Sequence, residues 1–133
     1  MKRGLEGDLF TAISLVHNAE ATWRRNGLWD WSFTIFDHMF SNQKLALLIF
    51  TARAIGVPLI QEKEMEAHLW SMQNPDGGVA SLSYPTGEKA GSANAETTAL
   101  SILIYDQPLL AKFPKMDQST NPQSDLLVVS VLV

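Results

Sequence analysis

The side chains best suited to chemistry are three carboxylates, Asp37, Asp76 and Glu96, together with an aromatic cluster beside the first of them. Two carboxylates held in unlike environments divide acid and base roles, one kept protonated by an apolar setting and the other ionised. Glu96 with Asp76 or with Asp37 is therefore the candidate catalytic pair. Each also has a plainer reading: Glu96 beside the positive end of a helix dipole, Asp76 in a turn, Asp37 as a cap. Trp29, Trp31, Phe33, Phe36 and Phe40 crowd around Asp30, Asp37 and His38. Aromatic faces attract cations and stack on sugars, so this cluster could line a ligand pocket. It could equally fill core between helices. The candidate ligand-binding residues are Trp29, Trp31, His38, Tyr84, Asn94 and Glu96.

Other chemistries are excluded or unsupported by the composition. The 133 residues contain no cysteine, which removes thiolate nucleophiles, disulfides and Cys-ligated zinc. Neither His17 nor His68 belongs to a pattern such as the H-E-x-x-H of a zinc helix, so the reading assigns no metal and no cofactor. Ten Lys and Arg against fourteen Asp and Glu give a formal charge of -4, with no basic cluster beyond Arg24–Arg25. No nucleic-acid or anionic-membrane footprint follows from that pattern. No apolar run has the length of a signal peptide or approaches the roughly 20 residues of a membrane span, so the expectation is a soluble, cytoplasmic chain.

The elements that must position these residues read as helices. Leu9, Ala12, Ile13, Val16, Ala19 and Trp23 recur at helical spacing after Asp8 and predict a first helix ending near Arg25. Trp29, Trp31, Phe33 and Ile35 alternate with polar residues, which reads as extended chain, although 35–40 fits a helical turn as well. Ser41 or Asn42 caps a helix through Ile55, apolar nearly all round and stopped by Gly56 and Pro58, which marks it as central. An outer helix follows over 61–73 with Met65, Leu69 and Met72 as its buried stripe. Asn74-Pro75-Asp76-Gly77-Gly78 ends it. From there to Asn94 lies a segment of about twenty residues, beyond the length at which structureless loops become uncommon, unless Val79 to Tyr84 forms a small hairpin strand. Asn94 caps a last helix, TTALSILIY in its body, which is again apolar all round and so predicted to be central.

Residues 44–53 align on 97–106 as a weak internal repeat, consistent with stacked helical hairpins. The strings WSMQNPDGGV and GSANAETTALSIL resemble a repeat of the terpenoid-cyclase/protein-prenyltransferase α/α-toroid superfamily, over residues 67–106. The resemblance implies turn roles for Gln73, Asp76, Gly77 and Gly78, and would face Asn94 and Glu96 toward a central cavity. The expected fold is thus mainly α: antiparallel helical hairpins forming an incomplete α/α toroid, with room for one short β-hairpin or edge strand. The D-x-D-D, D-D-x-x-D and Asp/Cys/His zinc motifs of that superfamily are absent, which argues against isoprenoid chemistry. A closed toroid at about fifty residues per hairpin needs about 250 residues, so this chain would supply an arc with exposed end faces.

The domain reading is a helical-hairpin domain over 1–111, a polar linker over 112–125 and an apolar tail, LLVVSVLV, over 126–133. Functionally the expectation is a ligand-binding or interaction module without a defined catalytic motif. It would self-associate or dock on further toroid repeats, with a small polar ligand as a further partner. The alternative is a small enzyme or enzyme fragment acting on a polar ligand such as a glycan through its carboxylates.

Overall fold

The computed structural model describes residues 2–105. Its centre is the helix Asn42–Ile55 (α3), and the local chemistry explains its limits. Ser41 Oγ accepts the Lys44 N–H at 3.2 Å, and Gly56, at φ 78°, directs its own N–H back to the carbonyls of Ala52 and Arg53. A left-handed residue just past a helix end is a glycine position because a side chain there costs strain. Leu45, Ala46, Leu48, Ile49 and Ala52 are wholly buried, so neighbours must cover several faces of α3.

Those neighbours arrive from both sides of the chain. Helix Lys2–Glu20 (α1) presents Ala12, Val16 and Ala19, spaced i, i+4, i+7. Helix Glu62–Ser71 (α4) presents Met65 and Leu69, and helix Ala95–Tyr105 (α5) presents Thr97, Ser101 and Ile104. Their apolar members meet those of α3 in one core. Short strands fill the remaining space. Trp23–Arg24 (β1) and Gly27–Leu28 (β2) form a hairpin across Arg25 and Asn26. The short helix Trp31–Asp37 (α2) leads into Phe40–Ser41 (β3), which pairs with Ala80–Ser83 (β4), which in turn pairs with Lys89–Ala93 (β5). All pairings are antiparallel, with Phe40 opposite Ser83, Leu82 opposite Ala90 and an irregularity between Ala80 and Leu82.

This architecture corrects the expectation of a mainly α toroid of helical hairpins. Among the described residues five helices accompany two antiparallel sheets, one of two strands and one of three. The reason lies in the stretch read as a long loop. Val79 to Ser83 runs back along Gln73 and then pairs with 89–93 around the turn Tyr84 to Glu88, where Gly87 holds φ 91° and its N–H reaches Tyr84 O at 2.8 Å. Backbone groups that a toroid loop would leave to solvent are therefore paired. The hairpin strand allowed for Val79–Tyr84 is this sheet's central strand, Ala80–Ser83, not an ornament on a helical fold.

Two further boundaries differ. The first helix stops at Glu20, not Arg25, because Thr22 Oγ1 and N–H both turn back to Ala19 O and the chain enters the β1–β2 hairpin. The segment 29–35 is not extended: Asp30 caps α2, accepting the N–H groups of Ser32 and Phe33 at 2.9 and 3.1 Å. A short surface helix exposes Trp31, Ser32 and Phe33 in succession, which in the sequence mimics alternation. The helix that aligns with α3 in the internal repeat, α5, buries far less of itself, so the two are not equivalent layers. The proposed linker over 112–125, the tail over 126–133 and the boundary at 111 lie outside the described residues.

Candidate functional site

The candidate residues fall at two ends of the β4–β5 hairpin. Trp29 and Trp31 meet edge to face, ring centres 5.8 Å apart, with Trp31 largely exposed at the start of α2. His38 closes α2 in the left-handed conformation, φ 56° and ψ 37°, its ring side exposed. Continuing the antiparallel register one step beyond Phe40–Ser83 brings Tyr84 beside Met39, so Tyr84 shares this end with His38 and Asp37. Asn94 stands at the other end, where its Oδ1 accepts the Thr97 N–H at 2.7 Å and caps α5. Asp76 and Glu96 are there too. Asp76 Oδ1 accepts the Gly78 N–H at 2.9 Å, and Gly78 has no room for a side chain, since a Cβ would lie 2.8 Å from that of Ala93.

The structure therefore places the candidate pair Glu96 and Asp37 beside opposite ends of β4. It leaves Glu96 and Asp76 at one end, both exposed. Asp37, Asp76 and Glu96 are all exposed. Among the described residues no group of three or more His, Asp or Glu could hold a metal ion, and no helix is long and apolar enough to cross a membrane.

Two constellations that the sequence reading did not assemble are more developed. The first is a buried polar tie. Asn42, at the start of α3, donates from Nδ2 to Ala80 O at 2.9 Å, which fixes its Oδ1 toward His68 of α4. His68 Nε2 lies 3.2 Å from that oxygen and 3.3 Å from Ser83 Oγ of β4. The Ser83 hydroxyl has Asn26 O at 3.2 Å and Asn42 Oδ1 at 3.3 Å as acceptors, and Asn42 Oδ1 can only accept. Trp23 closes the cluster edge-on to the His68 ring, centroids 6.0 Å apart. Burial pushes the His68 pKa below the ordinary imidazole value of 6.5.

A serine beside a histidine invites a nucleophile reading, and the geometry opposes it. A general base needs an unprotonated nitrogen facing the hydroxyl, with the orienting group on the other nitrogen. Here the serine hydroxyl and the amide oxygen both face one nitrogen, no orienting group among the described residues is seen on the other, and Ser83 is entirely buried. The cluster is a fastener of α3, α4, β4 and the β1–β2 turn.

The second constellation is an open cleft of about 410 Å³ lined by Trp70, Gln73, Ile102 and Tyr105. Trp70 leaves α4 and Tyr105 ends α5, and their rings meet edge to face at 5.5 Å. The cleft exists because α5 turns its small hydroxyl residues inward. Thr97, Ser101 and Ile104 occupy the packed side, while Ala95, Ala99 and Ile102 form an exposed stripe at i, i+4, i+7. Ile102 is 55% and Tyr105 72% exposed. Arg53 fixes the two walls against each other: its guanidinium donates to Ile104 O at 2.8 Å and to Glu66 Oε2 at 2.7 Å, with Glu62 at 3.6 Å. The signal for this arrangement was present in Thr97 and Ser101, whose small size and i, i+4 spacing mark a close-packed side, but overall apolarity outweighed it.

Compared with known protein families, curated proteins and solved structures, the chain matches none of them.

Proposed function

We propose that this chain is a binding module, without a catalytic centre of its own, that receives an apolar polypeptide segment on the α4–α5 face. The observation that carries this reading is the cleft between Trp70 and Tyr105, continued along α5 by Ile102, Ala99 and Ala95. An aliphatic and two aromatic side chains present concave apolar surface, and Gln73 adds one polar group that can orient a bound backbone. Water-facing Ile102 and Tyr105 contribute little to the fold, so their apolar character serves contact with something else. The exposed carboxylates support no acid/base pairing that would favour the enzymatic reading.

The apolar dye 8-anilinonaphthalene-1-sulfonate tests this on two chains, the full one and one ending at Asp125. At least one of them is expected to bind dye, and Ile102→Glu is expected to abolish the binding while helicity and the thermal midpoint stay put. Exposed substitutions of this kind alter stability by no more than about 0.5 kcal/mol. Dye binding that ignores Ile102→Glu in both chains, or unfolding on that change, overturns the reading.

A further inference from the structure

Two hairpin turns touch where the β1–β2 unit meets the three-stranded sheet, and Asn26 stands between them. Its Nδ2 donates to Pro85 O at 2.8 Å across 59 residues of sequence, and its own carbonyl accepts the Ser83 hydroxyl at 3.2 Å. A Cβ on Gly87 would lie 3.3 Å from Asn26 Oδ1, so the tip of the β4–β5 hairpin rests directly on this amide. On the other side Gly27 faces Phe40, where a Cβ would come within 2.4 Å of the Phe40 Cβ. Packing thus requires an amide donor at 26 and the absence of a side chain at 27, each for a separate reason. The result is Asn-Gly, the dipeptide in which backbone attack on a side-chain amide is least hindered, and none of the other five asparagines precedes a glycine.

We propose that Asn26 is a self-modification site, converting to aspartyl and isoaspartyl forms, and that the contact between the two turns gates the conversion. The chemistry needs only water. The Gly27 nitrogen attacks Asn26 Cγ, a C–N bond forms, the Cγ–Nδ2 bond breaks, and ammonia leaves with the proton that the Gly27 nitrogen gives up. Water then opens the succinimide ring at either carbonyl: one opening yields aspartate, the other isoaspartate with an extra methylene in the backbone. In the closed structure both reacting groups are occupied. Trp29 N–H donates to Thr22 O at 3.0 Å, which marks a hydrogen-bonded pair. Such pairs alternate along an antiparallel ladder, so two steps on, at Arg24 opposite Gly27, the Gly27 N–H is directed at Arg24 O. The leaving amide is held by Pro85 O. Attack therefore waits until the β1–β2 turn swings clear of 84–88, a local opening that the rest of the fold need not follow.

Conversion undoes the latch that delayed it. A carboxylate at position 26 offers no donor to Pro85 O and sets a negative charge against that carbonyl. An isoaspartyl linkage lengthens the chain between Arg25 and Gly27, which displaces the carbonyl that Ser83 holds and the pairing of Arg24 with Gly27. Ser83 also touches Asn42 and His68, so the disturbance reaches the buried tie of α3 and α4. Because ammonia is lost, the release runs in one direction only.

The test incubates the full chain at mildly alkaline pH, folded and in urea, with tandem mass spectrometry locating the amide-to-acid mass gain and an isoaspartyl methyltransferase reporting isoaspartate. Asn26 is expected to convert ahead of every other asparagine, and at least about tenfold more slowly folded than unfolded. Ser83→Ala frees the Asn26 carbonyl only in the fold, so it should raise the folded rate several-fold and leave the rate in urea unchanged. Gly87→Ala crowds the same amide from the turn and repeats that test without touching the buried tie. Arg53→Ala weakens the structure at the other end of α3 and should leave the folded rate alone. Asn26→Asp, which makes the aspartyl product directly, should speed amide exchange in 22–28 and 84–88 more than in α5. Equal rates in folded and unfolded chains, or a folded rate that neither Ser83→Ala nor Gly87→Ala raises, overturn the proposal. Acceleration by Arg53→Ala equal to that of the latch variants overturns it too, by assigning conversion to global unfolding, and exchange unaltered by Asn26→Asp overturns the release.

Discussion

At the scale of single residues, burial has converted reactive side chains into fasteners. His68 is the clearest case. Its pKa in the fold lies below the unfolded value near 6.5, because burial disfavours the imidazolium. The unfolded chain therefore binds more protons than the folded one as pH drops below about 6.5, so stability is full above that value and declines beneath it. Urea unfolding from pH 8 to pH 5 should show the midpoint falling on the acid side, and His68→Asn should flatten that slope while lowering stability at pH 8. An unchanged slope would place the acid sensitivity elsewhere. Thr51 and Thr97 make the opposite point. Both hydroxyl oxygens are buried without a hydrogen-bond partner, on helices that pack together. Thr51→Val and Thr97→Val keep shape and remove the unmet polar atom, so each is expected to be neutral or stabilising by up to about 1 kcal/mol, read as a raised thermal midpoint.

At the scale of elements, what the sequence made legible was local and what it hid was non-local. Ser41, Asn94 and Gly56 were readable as helix ends because each acts on backbone groups within four residues. The Ala12, Val16, Ala19 stripe and the Met65, Leu69 stripe were readable because one face of a helix is set by its own spacing. The three-stranded sheet was not, since β3 finds β4 across α3 and α4, and no local pattern announces that pairing. Nor was the role of Asp30, whose capping bonds are local but whose meaning depends on Lys44, 2.6 Å away on α3. Burial raises the Asp30 pKa, yet Lys44 and the N–H groups of Phe33 and Ser32 outweigh it and hold the carboxyl below 3.8. That contribution is present above about pH 3.8 and is lost as pH falls through the lowered value, an acid window separate from that of His68. Asp30→Ala should remove the cap of α2 and strand Lys44, costing about 1–3 kcal/mol in denaturant unfolding. A loss that disappears once pH falls below the lowered value would mean that the ion pair matters and the cap does not. Of the candidate site, the sequence showed Trp29 beside Trp31 and the small-residue turn, but not the cleft, which needs two helices placed side by side.

At the scale of the whole molecule, Arg53 decides whether that cleft has walls. Its bonds to Ile104 O and Glu66, with Glu62 nearby, join the end of α5 to α4 through α3. Arg53→Ala is expected to cost about 2 kcal/mol and to speed amide exchange near the end of α5 more than in α1. Uniform acceleration throughout would show the bracket to be a general prop instead. Three of the bonds that tie the described elements together are also long in sequence: Asn42 to Ala80 spans 38 residues, Arg53 to Ile104 spans 51, and Ser83 to Asn26 spans 57. Each requires a long loop to be drawn shut before it returns anything, and the entropy of that closure falls on the barrier to folding. The helices can form early, but the elements around α3 are held only once all three ties are made. Refolding should therefore follow a single, comparatively slow phase set by topology, with Asn42→Ala slowing it if the tie is in place at the barrier and hastening unfolding if it is not.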